Sequence, residues 1–110
     1  MADPAALRYL KNRDELVTAL KSGYLPNLDF NSERIRFDFS GLTLADANFS
    51  FCDLEKSNFA NAYLDRCHFD CSDWRGCDFS HATFNGCYLS GFRTLIKPLG
   101  CIQFAETACL

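Results

Sequence analysis

A chain of 110 residues, 48% hydrophobic and 23% charged, has the length and balance of one globular domain. Its net charge of −3 gives no general attraction to nucleic acid or an anionic membrane, and no stretch is long and apolar enough to span a bilayer. The charge is uneven, because residues 37–91 hold eight acids against three bases while each flank is +1.

The whole chain reads as a single domain, with residues 1–23 as a helical N-terminal cap. Asp3 can cap a helix that has Pro4 at its first position. Asn12, with Glu15 three residues on, fits a second start as a capping box, and Gly23 supplies a stop. Leu7, Leu10, Leu16, Val17 and Leu20 give a partly apolar face, on a helix either continuous or broken near Asn12. No continuous apolar signal core precedes them, so a cytoplasmic location is expected. Residues 24–38 lead in, and Ile35, Phe37 and Phe39 alternate like a first strand.

From Phe39 the chain repeats every five residues. Phe39, Leu44, Phe49, Leu54, Phe59, Leu64, Phe69, Trp74, Phe79, Phe84 and Leu89 are all large and apolar. The residues two before them, from Ala47 on, are Ala, Ser or Cys throughout. An α-helix would scatter this pattern around its axis, since five residues turn it by about 140°. A flat strand would put successive large residues on opposite faces. The pattern fits a chain that turns a corner every five residues, with the large residue and its small partner facing inward. Four sides then make a coil of twenty residues. That period stacks Phe39, Phe59 and Phe79 in one column, Leu44, Leu64 and Phe84 in a second, Phe49, Phe69 and Leu89 in a third, and Leu54 with Trp74 in a fourth. Trp74 is oversized for its slot. Four of the seven Cys fall at the small inward position, and the count is odd, so free thiols are expected, although Cys67 stacks on Cys87.

Segments such as Ala47-Asn48-Phe49, Cys52-Asp53-Leu54, Ser57-Asn58-Phe59 and Cys77-Asp78-Phe79 resemble the pentapeptide-repeat family, whose consensus is roughly A-(D/N)-(L/F)-x-x. The resemblance spans residues 39–91 and implies an all-β solenoid, a right-handed quadrilateral β-helix. Residues 92–110 then form a short C-terminal cap, with Gly91 closing the repeat, Pro98 and Gly100 in a turn, and Cys101–Ala105 over the last coil. The helix-then-repeat order looks like the repeat domains of some bacterial secreted effectors, which would place the chain in a larger protein and in a host cytosol.

Chemistry is sparse. His68 and His81 fall on different faces. Cys71 lies outward near His68, but no orienting group or oxyanion hole accompanies them. Gly41, Gly76, Gly86 and Gly91 share one corner position, and Asp or Asn before the large residue is read as corner hydrogen bonding rather than metal ligation. No catalytic, cofactor-binding or metal residue is assigned. Asp46 over Arg66 and Glu55 over Arg75 predict ion pairs between coils. Recognition is expected on the outer walls, where Phe51, His68 and Tyr88 share a face and Tyr63 stands on the next. The functional reading is a non-catalytic protein-interaction or scaffolding module, monomeric or weakly dimeric, with a protein partner and no nucleic acid. The alternative is a DNA-mimicking protein that binds gyrase, suggested by the acidic repeats.

Overall fold

The computed structural model describes residues 2–23, 28–89 and 102–109, the last of these as backbone. Two short helices open the chain, α1 (Pro4–Tyr9) and α2 (Arg13–Lys21). The Asp3 side chain caps α1 by accepting from the Ala5 N–H, with Pro4 in the first turn. Asn12 caps α2 by accepting from the Asp14 and Glu15 N–H groups. The return arm of a capping box is not used, because the Asn12 N–H donates to the Tyr9 carbonyl at 3.3 Å. The helix is therefore broken at Asn12, and α2 ends before Gly23, whose φ of 84° suits only glycine well.

The remainder is a β-solenoid. Strands β1 (Thr43–Ala45), β2 (Tyr63–Asp65), β3 (Ala82–Tyr88) and β4 (Ile102–Cys109) form one parallel sheet in that order. Leu44, Leu64 and Phe84 are aligned across it. Three further ladders of single bridges run Asp29–Asn48–His68–Tyr88, Arg34–Asp53–Asp73 and Asp38–Asn58–Asp78. Four parallel ladders thus divide each coil into four faces.

Inward side chains stack as the period predicts. Phe39, Phe59 and Phe79 lie with ring centroids 4.8 and 5.0 Å apart, and Phe49 lies 5.1 Å from Phe69, all nearly parallel. Trp74 is buried among Phe69, Phe79 and Phe84, and its indole N–H donates to the Ser72 hydroxyl. The small neighbour both makes room for the ring and satisfies its polar edge.

The coil begins earlier than the repeat spacing marks. Phe30 stacks under Phe49 at 5.2 Å, and Leu28, Phe30 and Ile35 are buried with the rest. Bridges Asp29–Asn48 and Arg34–Asp53 join residues 19 apart, whereas Asp38–Asn58 joins residues 20 apart. One side, between Ile35 and Phe39, is therefore a residue short, and this slip hides the first coil from a search for fives. The strand expected over Ile35–Phe39 is not formed. Ile35 and Phe39 fill successive sides, and Phe37, partly buried 4.5 Å from Phe39, is aligned with Ser57 in a slot that is otherwise small.

The helices join the first coil. Ala6 and Leu16 belong to the same buried cluster as Leu28, Phe30 and Ile35. The Asp3 N–H donates to the Asp29 carbonyl at 2.9 Å. Arg13 donates through Nε to the Asp38 carbonyl at 2.8 Å and through Nη2 to the Ser40 carbonyl at 2.6 Å. At the far end β4 pairs with β3, with register shifts between Phe84 and Tyr88. The turn expected at Gly91, Pro98 and Gly100 lies outside the described residues.

Candidate functional site: the outer walls

Corners and sides set what the walls can carry. Apart from the short side between Ile35 and Phe39, the third residue of each turn has a positive φ, between 54° and 72° from Ser32 to Gly86. Gly41 and Gly76 occupy this position, as do Asp46 and Asn61, the types that tolerate it best. Before the large residue, Asp38, Asn48, Asp53, Asn58, Asp73 and Asp78 each accept through Oδ1 from the N–H two residues on, at 2.8–3.1 Å, and Asp29 does the same. These are Asx turns that pin the side before it bends. Asp78 is held below the usual carboxylate range by the Ser80 hydroxyl and then by the Ser80 N–H, and Asp38 by the Ser40 hydroxyl.

Three of the four wall aromatics, Phe51, His68 and Tyr88, depart from these preferences. Phe51 sits at a corner with φ 59° and is 62% exposed. His68 and Tyr88 stand on the Asn48 ladder, and Tyr63 lies between Thr43 and Thr83. His68 and Tyr88 fill the slot that Asn48 holds on the same ladder, so neither can make the Asx turn, whereas the neighbours of Tyr63 on its ladder are threonines. Tyr63 is 41% and Tyr88 36% exposed. His68 stacks on Tyr88 with centroids 4.3 Å apart and planes 10° from parallel, and its Nδ1 is 3.7 Å from Asp70. Phe51, His68 and Tyr88 therefore share one face, and Tyr63 lies on the face before it.

The thiols are occupied inside. Cys52, Cys67, Cys77 and Cys87 are buried and free, and Cys71 is free and exposed. Each buried thiol donates to the carbonyl of the large inward residue one coil down and one side back: Cys52 to Phe30 (2.9 Å), Cys67 to Leu44 (3.5 Å), Cys77 to Leu54 (3.1 Å) and Cys87 to Leu64 (3.2 Å). Ser57 bonds to Ile35 in the same way at 2.7 Å. Ser57 thus replaces Cys in this bond, a role that side-chain size alone did not reveal, whereas Ser72 donates to the Phe69 carbonyl of its own coil. Burial pushes the Cys52 thiol up to about 11 and Cys77 up to about 12. Cys67 is raised by its hydrogen bond with Cys87 and then by burial. Such thiols are poor nucleophiles. At the surface, no hydrogen bond joins Cys71 to His68 among the described residues.

Both expected ion pairs form, Arg66 to Asp46 at 3.3 Å and Arg75 to Glu55 at 3.8 Å. Oxygens of Asp53, Glu55 and Asp73 lie within 4.8 Å of one another, but Arg36 and Arg75 bridge the same carboxylates, which makes the group an ion-pair ladder. Burial works against the charge on Asp53, yet the Glu55 N–H and Arg36 hold its carboxyl below the usual range. A cleft of about 350 Å³ between α2 and β1, lined by Val17, Leu20, Lys21, Leu42 and Ala45 among others, touches none of the wall aromatics. No helix among the described residues is long and apolar enough to cross a membrane.

The family described as Pentapeptide repeats matches residues 35–61 and 57–93 in eight copies, more than half the chain. The chain belongs to the pentapeptide-repeat family. The match starts at Ile35, four residues before the unbroken run of fives, whereas the ladders already begin at Asp29. Comparisons with curated proteins and with solved structures each find no significant match. Pentapeptide-repeat proteins are in general structural or binding modules, and no catalytic family is indicated. The surface positions, rather than the repeat, must therefore specify the role.

Proposed function

We propose that this pentapeptide-repeat protein is a non-catalytic module that binds a protein partner through the wall of Phe51, His68 and Tyr88, with Tyr63 on the adjoining face. The observation that carries the reading is positional. His68 and Tyr88 stand on the ladder where Asn48 makes an Asx turn, and Phe51 holds a positive φ, each without being buried in return. Local rules broken at exposed aromatics mark contact surfaces. The coil is read as right-handed and quadrilateral, capped by α1 and α2 at one end and β4 at the other. The module is a monomer or weak dimer that works in the cytoplasm, or in a host cytosol as the targeting part of a larger effector-like protein. Affinity purification with the wild type and with the Phe51→Ala/Tyr88→Ala variant tests the wall. Partners should be lost from the variant, and equal recovery from both rules the wall out.

DNA mimicry has the acidic balance of the repeats in its favour. Against it, the face of residues 33–36, 52–56 and 72–76 carries Arg34, Arg36, Lys56 and Arg75 beside its acids and is neutral. Unchanged gyrase supercoiling at micromolar protein removes this second reading.

A further inference from the structure

Away from the aromatic wall, one inward column starts on an oversized residue. Ala62 and Ala82 fill the small slot in the upper coils, and Leu42 fills it beneath them, with the Tyr63 N–H donating to the Leu42 carbonyl and the Thr83 N–H to the Ala62 carbonyl, each at 2.9 Å. Leu42 lines the cleft of about 350 Å³ between α2 and β1. That volume lies near the lower end of the range that holds small ligands.

The cleft has a simple chemistry. Val17, Leu20, Leu42 and Ala45 give it aliphatic walls, and no aromatic ring or acid is among the described residues that line it. Asp46, next to Ala45 in the chain, is already paired with Arg66 at 3.3 Å. Lys21 and Thr43 supply the polar groups. Neither the Lys21 ammonium nor the Thr43 hydroxyl has a hydrogen-bond or ion-pair partner among the described residues. Lys21 is exposed in the last turn of α2, and its flexible four-carbon stem lets the charge swing over the mouth of the cleft. An aliphatic slot with one unmatched cation suits an aliphatic chain that ends in one anion. A peptide suits it less, because its backbone N–H and C=O groups each need a partner when buried, and the side chains here offer only one hydroxyl and one ammonium.

We infer that this cleft binds a medium-chain fatty acid, its tail between Val17, Leu20, Leu42 and Ala45 and its carboxylate paired with Lys21 and accepting from the Thr43 hydroxyl. The site is separate from the aromatic wall and does not depend on it. The test is to titrate octanoate, below its micelle concentration, into the isotope-labelled full chain and follow the backbone amide signals by NMR. Those of Leu20, Lys21, Leu42 and Thr43 should shift and saturate, while those of Phe51 and Tyr88 stay in place. Affinity should rise by up to about fourfold per methylene from butanoate to octanoate. Lys21→Gln should weaken octanoate roughly fivefold, and Lys21→Arg should restore it. Octyltrimethylammonium, with the same tail and the opposite charge, should not saturate these amides. Shifts spread over the whole surface, equal affinity for the two amphiphiles, or unchanged affinity in Lys21→Gln would overturn the inference. So would a peptide ending in leucine that binds more tightly than octanoate, which makes a protein terminus the occupant. Shifts of the same amides on diluting the protein alone would overturn it in favour of a second copy.

Discussion

Phe51 is held at φ 59° with 62% of its surface exposed, a combination that contributes little to the fold. A left-handed backbone costs a bulky residue ~1–2 kcal/mol, and asparagine tolerates it with a local hydrogen bond. Phe51→Asn should therefore stabilise the protein by ~1 kcal/mol in urea unfolding while abolishing partner binding. A clear loss of stability instead would make Phe51 a packing residue and undercut its place in the wall. The buried thiols give a second test at this scale. Cys52 and Cys77 have folded values of about 11 and about 12 against an ordinary value near 9. Below pH 9 both states are protonated, and their contribution is fully present. Above it the unfolded thiols ionise first, so stability falls as pH rises from 9 toward 11–12. Ser57 shows that a hydroxyl can make the same bond, so Cys52→Ser/Cys77→Ser should fold and lose less melting temperature between about pH 8 and about pH 10, roughly one unit either side of the onset, than the wild type. Identical pH profiles would mean that these thiols are not what titrates.

Elements differ in how plainly the sequence announces them. The repeats were legible because each inward slot is repeated in kind and every column can be counted in twenties. The caps of α1 and α2 were legible because Asp3, Pro4, Asn12 and Gly23 act locally. The first coil was not, since the short side between Ile35 and Phe39 breaks the count, although Leu28-Asp29-Phe30 has the repeat's own form. The wall was partly legible. The period placed Phe51, His68 and Tyr88 on one face, but the His68–Tyr88 stack and the strain at Phe51 depend on three-dimensional geometry. Arg13 shows the same limit. Nothing in its neighbours marks it, yet it carries α2 to two backbone carbonyls of the coil, Asp38 and Ser40. Hydrogen bonds from a charged donor contribute ~1.5–3 kcal/mol each when buried and less here, where Arg13 is partly exposed. Arg13→Ala should destabilise the protein by ~1.5 kcal/mol in thermal or urea unfolding, and Arg13→Lys should recover only part, having no fork to span both carbonyls. Full recovery by lysine would reduce the contact to charge attraction toward Asp38.

At the scale of the molecule, a solenoid has no core that closes on itself. Each coil buries its side chains against its neighbours, so the first coil depends on what lies beneath it. There the exposed end would be Leu28, Phe30 and Ile35 together with the unpaired carbonyls of Asp29, Asp38 and Ser40. In this chain Ala6 of α1 and Leu16 of α2 belong to the same buried cluster as Leu28, Phe30 and Ile35, while Asp3 and Arg13 donate to the carbonyls. Uncovering three large side chains forfeits ~1.5–3 kcal/mol each, comparable in sum with the whole stability of a small domain, and leaves a sheet edge open to pairing. Removal of residues 1–23 should therefore abolish cooperative unfolding or drive association through the bare coil, visible as a broadened melting curve and as dimers or larger species in size-exclusion chromatography with light scattering. The Ala6→Asp/Leu16→Asp variant, which keeps the chain length and the carbonyl donors but spoils the apolar contact, should behave in the same direction. A shortened chain that stays monomeric and melts as sharply as the wild type would mean that the coils stand alone and that the helices serve another purpose, most directly a second binding surface.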